Sequence, residues 1–219
     1  IFCLLIGSRT RLRCDRRART VCKMGALVTW LLFTPLLVAS SESGPWLAAG
    51  RAYTCFLRDD GSVKCVGRNL NGQLGSGTST YALGDVATDM GDKLLPVKLG
   101  SDPEGQVLKA TQISTYWTTV CVVMALTSEV QCWGSGLNGQ LGTESSASVG
   151  LNEADMGDNL VPVPLGAGNA VAQVSVGDSH VCAVLQSGGL KCWGNGYWMQ
   201  TGYGHYLTLG DDSNEMGDY

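Results

Sequence analysis

Cysteine is the residue type whose number and spacing in this chain point most directly to chemistry. Nine cysteines are present, and three of them precede Met24. The other six form pairs whose members are 10, 11 and 10 residues apart: Cys55 with Cys65, Cys121 with Cys132, and Cys182 with Cys192. The two cysteines of each pair are expected to face each other across a short hairpin. This arrangement predicts three cross-strand disulfides and an oxidising compartment. Six buried free thiols are the alternative, and zinc is disfavoured because no two have a short Cys-x₂₋₄-Cys spacing.

Side chains arranged for catalysis are missing. The two histidines are His180 and His205, and His180 aligns with Tyr53 and Thr119 in the internal repeats described below, so it has no role that the units share. The sequence contains no Gly-x-Ser-x-Gly elbow, phosphate-binding Gly-x-x-x-x-Gly-Lys loop or His-Glu-x-x-His pattern. We therefore predict that the protein is not an enzyme and that it has no cofactor.

Carboxylates recur on glycine-rich loops that end in Met-Gly-Asp at Met90, Met156 and Met216. Such loops could bind Ca²⁺ through oxygen ligands. They could also be solvated turns in which a carboxylate accepts backbone hydrogen bonds. The second interpretation is favoured, and no metal site is predicted.

One sequence motif occurs three times in the chain. It runs from Cys132 to Gly142, stands again from Cys65 to Gly75, and returns in weaker form from Cys192 to Gly202. A fixed period of this kind indicates a repeat architecture. The positions expected to build the structure are Gly72, Gln73, Leu74, Gly75, Trp133, Gly134, Gly139, Gln140, Leu141, Gly142, Trp193 and Gly194.

Short strands rich in Val, Thr and aromatic residues, bounded by Gly, Asp and Ser, are predicted throughout the repeats. In the second unit they cover 94–99, 107–114, 118–125 and 129–133. In the third they cover 160–165, 170–176, 180–185 and 189–193, and in the first 46–49, 52–58 and 62–66. Hairpin loops that end at Gly61 and Gly188 require glycine in the left-handed conformation. Four antiparallel strands per unit are typical of a β-propeller blade, so the fold class is all-β.

The runs His180-Val181-Cys182-Ala183, Lys191-Cys192-Trp193-Gly194-Asn195 and Gly139-Gln140-Leu141-Gly142 resemble the regulator-of-chromosome-condensation repeat, a family of seven-bladed propellers. The resemblance covers residues 46–219 and implies a partial propeller of about three four-stranded blades. Trp133 and Trp193 would pack between neighbouring blades, and Leu74 and Leu141 would anchor the following loop. The chain departs from the pattern at three positions: Val66 replaces Trp, and Met199 and Thr201 replace Gly and Leu.

The first 45 residues differ from the rest. Residues 1–23 hold seven of the fifteen basic residues and are interpreted as a basic tail or untranslated sequence. Residues 24–41 contain an apolar core at 25–39 that predicts a signal peptide cleaved near Ser40, with an uncleaved membrane anchor or a buried segment as alternatives. The repeats follow as 46–99, 100–165 and 166–219. With Ile1 in front and a unit cut short behind, the chain is expected to be a fragment.

Charge and the repeats together predict the function. The chain has a net charge of −4, but 8 basic and 18 acidic residues follow Met24, and this acidic body disfavours nucleic acid. We expect a monomeric, secreted or surface-displayed scaffold that binds an unknown protein partner through blade loops. Two alternatives stay open. One is a cytoplasmic or nuclear regulator that resembles the family's exchange factor for a small GTPase. The other is a glycan-binding propeller that uses Tyr197, Trp198 and Tyr203.

Overall fold

The computed structural model describes residues 46–218, and these fold into three antiparallel β-sheets that follow one another along the chain. The hypotheses about the basic segment 1–23 and the apolar segment 24–41 lie outside the described residues. Within 46–218 no helix is long and apolar enough to cross a membrane.

Each sheet is built from strands that are consecutive in the sequence. The first sheet contains β1 (Trp46–Ala49), β2 (Tyr53–Leu57), β3 (Val63–Arg68) and β4 (Ala82–Leu83). The second contains β5 (Ala110–Tyr116), β6 (Thr119–Met124) and β7 (Val130–Gly134), and the third β8 (Val171–Val176), β9 (His180–Leu185) and β10 (Leu190–Gly194). The described helical residues lie in single 3₁₀ turns at Ala87–Asp89, Gly91–Lys93, Glu153–Asp155 and Gly157–Asn159. The predicted all-β class is confirmed.

The hairpins have the predicted geometry. Gly61 and Gly188 adopt φ angles of 78° and 89°, the left-handed conformation that glycine reaches without steric cost. Because side chains alternate along a strand, the register of each hairpin decides which residues face each other. In all three sheets it places the two cysteines of a pair directly opposite one another.

The core lies between the sheets. One cluster of buried side chains joins the first sheet to the second, and another joins the second to the third. Strand β6 is buried along its whole length, because it is the middle strand of the middle sheet. Its sequence is accordingly a nearly continuous apolar run rather than an alternating one. Each unit therefore depends on its neighbours for a core, as stacked repeats do.

Two predicted strands are wrong. Residues 94–99 and 160–165 are extended but form no strand of any sheet. The Val97 N–H donates to the Val63 carbonyl and the Val163 N–H to the Val130 carbonyl, both at 2.8 Å. Because Val97 and Val163 donate to the sheet, the nitrogens of the preceding Pro96 and Pro162 face away from it, where proline is tolerated. The pairing does not extend into a ladder, and Pro162 forms only an isolated bridge with Gln131. Each segment instead lies along the last long strand of the preceding sheet, β3 or β7.

The expectation of four strands in every unit is also wrong for the second and third sheets. In the first sheet the Asn69 N–H donates to the Tyr81 carbonyl at 2.8 Å, beside the short strand β4. In the second sheet the N–H of Gly136, the equivalent residue, meets the hydroxyl of Ser148 at 3.4 Å. A side chain there replaces the backbone acceptor, and the fourth strand is reduced to single pairs, Gly134 with Val149 and, in the third sheet, Gly194 with Leu209.

Candidate functional site

The two repeat tryptophans connect consecutive sheets. Trp133 and Trp193 are completely buried. Their indole N–H groups donate to the main-chain carbonyls of Gln73 and Gln140, each in the preceding unit and each at 3.1 Å. The predicted packing between blades is confirmed. The hydrogen bond was not foreseen, because the residue pattern carries no signal for a main-chain acceptor 53 or 60 residues away.

The glycines of the motif make room for these contacts. A Cβ at Gly75 would lie 2.9 Å from the indole nitrogen of Trp133, and one at Gly142 would lie 2.7 Å from that of Trp193. Gly72 and Gly139 approach the main chain of the following unit, where a Cβ would meet the Val149 or the Leu209 carbonyl at 2.4 or 2.6 Å. The Gly-Gln-Leu-Gly loop is therefore a contact between units. Its leucines, Leu74 and Leu141, are buried as predicted.

The glutamine of the motif closes the loop in every unit. The Oε1 atoms of Gln73, Gln140 and Gln200 accept the main-chain N–H two residues earlier, at 2.8, 2.7 and 2.7 Å. The third unit keeps this turn although Met199 stands where the others have glycine, and Met199 adopts φ 57°. Thr201, in the place of the buried leucine, is itself buried, and its hydroxyl has no partner among the described residues.

Two loops meet at one end of each sheet. Arg68, Ser135 and Asn195 each lie three residues after the second cysteine of their unit. Their N–H groups donate to the carbonyls of Ala52, Thr118 and Ser179 at 2.9, 3.1 and 2.8 Å. This end, formed by residues 50–52 and 68–71 and their equivalents 116–118 with 135–138 and 177–179 with 195–198, is called the loop end below. The backbone contact is the same in all three units, whereas the side chains differ.

The carboxylates of the acidic loops accept hydrogen bonds from nearby backbone N–H groups. Asp89 accepts the N–H of Gly84, Asp155 those of Gly150 and Asn152, and Glu215 those of Gly210, Asp211 and Asp212. Asp158 accepts from the N–H and hydroxyl of Ser101, which lowers the pKa of this carboxyl. Among residues 46–218 no cluster of His, Cys, Asp or Glu has the geometry to bind a metal. These carboxylates therefore accept hydrogen bonds from the backbone of the turns, as in the second interpretation of the acidic loops.

The two histidines lie apart. The ring of His180 packs on Gly177, where a Cβ would lie 2.3 Å from it, and burial lowers the pKa of His180 while Asp178 opposes the shift. His205 accepts the Leu207 N–H through Nδ1 and stacks on Tyr203 at a ring distance of 5.9 Å. Neither arrangement pairs a base with a nucleophile.

The exposed aromatic residues of the third unit do not form a single platform. Tyr197 and Trp198 meet edge to face, with ring centroids 4.8 Å apart and planes at 90°. Tyr203 stacks on His205 instead, and its hydroxyl accepts the Cys192 N–H at 3.3 Å. The three candidates for sugar stacking are therefore divided between two places.

The six repeat cysteines form three disulfides. Cys55 is bonded to Cys65, Cys121 to Cys132 and Cys182 to Cys192, with Cα atoms 4.1, 4.2 and 4.1 Å apart. Each bridge joins the two strands of one hairpin, so it fixes a single unit and does not connect two units. The pairing predicted from the sequence is confirmed.

Comparison with known proteins agrees with this geometry. The Regulator of chromosome condensation (RCC1) repeat matches residues 47–73 and 171–197. The Ultraviolet-B receptor UVR8 of Arabidopsis thaliana is 35% identical over 98 residues, which are 44% of this chain and 19% of the receptor. In the crystal structure of Kap60 bound to yeast RCC1 (Prp20), a chain matches with a TM-score of 0.50 and 17% identity, over 78% of this chain and 35% of that one. Human WBSCR16 matches with a TM-score of 0.49 and 22% identity, over 68% of this chain and 32% of its own.

The fold is that of an open, partial β-propeller. Its first and third units are similar to the regulator of chromosome condensation (RCC1) repeat. The chain spans about a third of the length of the solved chains that it matches, and about a fifth of the receptor.

Proposed function

We propose that this propeller is a non-catalytic scaffold that binds a protein partner through its loop end, and that it is secreted or displayed at the cell surface. The observation that supports the proposal is that the backbone of the loop end is the same in all three units, whereas its side chains differ. In all three units the motif glutamine closes the same turn and the same backbone bond joins the two loops.

At the loop end, by contrast, equivalent positions hold unrelated side chains. Arg51 corresponds to Trp117 and Asp178, and Arg68 corresponds to Ser135 and Asn195. Leu137 and Asn138 of the second unit become Tyr197 and Trp198 in the third, where both aromatic rings are largely exposed. Side chains that vary on a fixed frame are typical of recognition surfaces.

The disulfides support an extracellular setting, because such bridges persist in oxidising compartments. The predicted signal segment at 24–41 agrees with that setting. An epitope-tagged full chain should be recovered from the medium or at the cell surface. Recovery from the cytosol or nucleus with reduced cysteines would favour the intracellular alternative.

Binding is tested by exchanging the loop end. In the full chain, Tyr197→Leu, Trp198→Asn and Met199→Gly together give positions 197–199 the residues of the second unit, Leu137, Asn138 and Gly139. Partners cross-linked to the wild-type chain on the surface of its own cells should be lost with this triple variant. A matched control, Leu126→Ser with Leu190→Ser, alters exposed residues at the hairpin end and should retain them. Equal recovery of the partner with both variants would refute the proposed surface.

A further inference from the structure

A small cavity at the loop end lies between the first and second sheets and has a volume of about 120 Å³. Arg51, Arg68 and Gln73 line it from the first unit, and Trp117 lines it from the second. Both arginines are specific to the first unit. Trp117 and Asp178 stand at the position of Arg51 in the other two units, and Ser135 and Asn195 stand at the position of Arg68. Their presence therefore cannot be explained by what every unit needs to fold.

Arg51 is held in place by Trp117. Its guanidinium carbon lies 3.9 Å from the centroid of a Trp117 ring, and its main-chain N–H donates to the Trp117 carbonyl at 3.1 Å. Trp117 has φ 47°, a conformation that is uncommon outside glycine. Stacking on the face of the guanidinium leaves the N–H groups along its edge available for an anion.

Arg68 also lacks a carboxylate partner among the described residues. Its guanidinium carbon lies 6.0 Å from the ring centroid of Tyr81. Elsewhere in residues 46–218, Arg58 pairs with Asp60 and Lys98 with Glu153, and Lys109 donates to the Asp60 carbonyl. Two arginines without an acidic partner therefore share one cavity on a body in which 17 acidic residues outnumber 8 basic ones.

Gln73 supplies a third donor. It is 2% exposed, and its Oε1 accepts the Asn71 N–H, which leaves the Nε2 protons to donate. In the third unit the equivalent Gln200 Nε2 donates to Asn195 Oδ1 at 3.3 Å. Asn195 stands where the first unit has Arg68, and arginine offers no acceptor. Within the described residues the Gln73 amide has no acceptor, so an oxygen from a ligand would complete the site.

We propose that Arg51, Arg68 and Gln73 form a binding site for a carboxylate, supplied by an Asp or Glu side chain in an acidic segment of the partner protein. This inference rests on the proposed protein-binding function and specifies its chemistry. A planar carboxylate matches the edge of a guanidinium with two parallel hydrogen bonds. Repulsion from the acidic body is larger for a polyanion such as nucleic acid than for a short segment with a few carboxylates, and the two arginines offset part of that repulsion.

The test uses the full chain and a fluorescein-labelled peptide amide, Gly-Ser-Glu-Asp-Glu-Ser-Gly, with binding followed by fluorescence anisotropy at low and moderate salt. The peptide should bind saturably, and its uncharged counterpart with Gln and Asn should bind at least about tenfold more weakly. Arg51→Ala and Arg68→Ala should each weaken binding by about tenfold or more, while Arg58→Ala, a matched control that removes an arginine paired with Asp60, should change it by less than about twofold.

Three outcomes would overturn the site: equal binding of the uncharged peptide, equal losses with Arg58→Ala, or clearly tighter binding of a peptide in which phosphoserine replaces the central Asp. Arg51→Lys keeps the charge but not the planar stack, so it should still lose several-fold in affinity. The broader proposal has its own readout. If cross-linking depends on residues 197–199 and not on Arg51 or Arg68, the scaffold function stands and the carboxylate site fails.

Discussion

The indole N–H of Trp133 donates to the main-chain carbonyl of Gln73 in the preceding unit, at 3.1 Å and out of contact with solvent. The same bond joins Trp193 to Gln140. The residue that fills the space between two sheets therefore also satisfies a backbone acceptor in the loop beside it. Packing and the shape of the loop are thus linked through one side chain.

Trp133→Phe should show how much that hydrogen bond contributes to the stability of the fold. Phenylalanine keeps most of the apolar surface but leaves the buried Gln73 carbonyl without its donor, so the free energy of unfolding should fall by about 1–3 kcal/mol. Urea unfolding followed by circular dichroism measures the change. Trp198→Phe, at a largely exposed site, is the control and should change it by less than about 0.5 kcal/mol. Equal effects of the two substitutions would contradict the account.

Removing the disulfide of the second unit should weaken the fold measurably. Cys121→Ala with Cys132→Ala opens a loop whose ends are 11 residues apart, for which the chain-entropy estimate is about 2–3 kcal/mol. Chemical unfolding of the oxidised wild type and the double variant gives the difference. Peptide mapping without reduction should recover all three bridges, and alkylation of Cys121 or Cys132 in the unreduced protein would count against them.

Met199→Gly should stabilise the third unit. Met199 adopts φ 57°, which costs a residue with a side chain about 1–2 kcal/mol. Glycine avoids this cost but has more freedom in the unfolded chain, so a net gain of roughly 0.5–1 kcal/mol is expected. The reverse exchange in the second unit, Gly139→Met, should destabilise by about 2 kcal/mol or more, because its Cβ would approach the Leu209 carbonyl. Thermal unfolding of both variants tests this prediction, because Met199→Gly should raise the Tm and Gly139→Met should lower it.

Acid should destabilise the fold partly through His180. Burial lowers the pKa of His180 below its ordinary value, so the unfolded chain binds this proton more readily. The stability contributed by the neutral ring is present above the unfolded pKa of about 6.5 and is lost as pH falls below it. The drop in Tm between pH 7.5 and 5.5 should be smaller for His180→Asn than for the wild type.

Asp178→Asn provides the opposite comparison. The Asp178 carboxylate opposes the lowering of the His180 pKa, so its removal should enlarge the drop in Tm between the same two pH values. Parallel behaviour of the two variants would show that His180 does not contribute.

The sequence predicted the parts of the fold that depend on local pattern. Alternation along a strand and the length of a turn together decide which residues face each other, so Cys55 and Cys65 could be paired by counting. The period of the motif gave the number of units. The large apolar surface of tryptophan then suggested where the units meet.

The remaining features depend on neighbours distant in the chain. The apolar run 94–99 has the composition of a strand, but its pairing with β3 does not extend into a ladder, and only the folded chain shows which sheet it accompanies. The stacking of Arg51 on Trp117 and the free amide of Gln73 are likewise invisible to a pattern, because each needs two units side by side. These are also the contacts on which the proposed binding site depends.

The extended segments 94–99 and 160–165 have a consequence for how the chain comes apart. Each lies along the last long strand of the sheet before it, so the chain beyond each long loop is hydrogen-bonded back to the sheet that precedes the loop. Proteolytic nicking in the exposed turns between Gly84 and Lys93 would therefore cut the backbone and still leave Val97 hydrogen-bonded to Val63. The two fragments would stay associated after such a cut, and they would separate only under denaturing conditions.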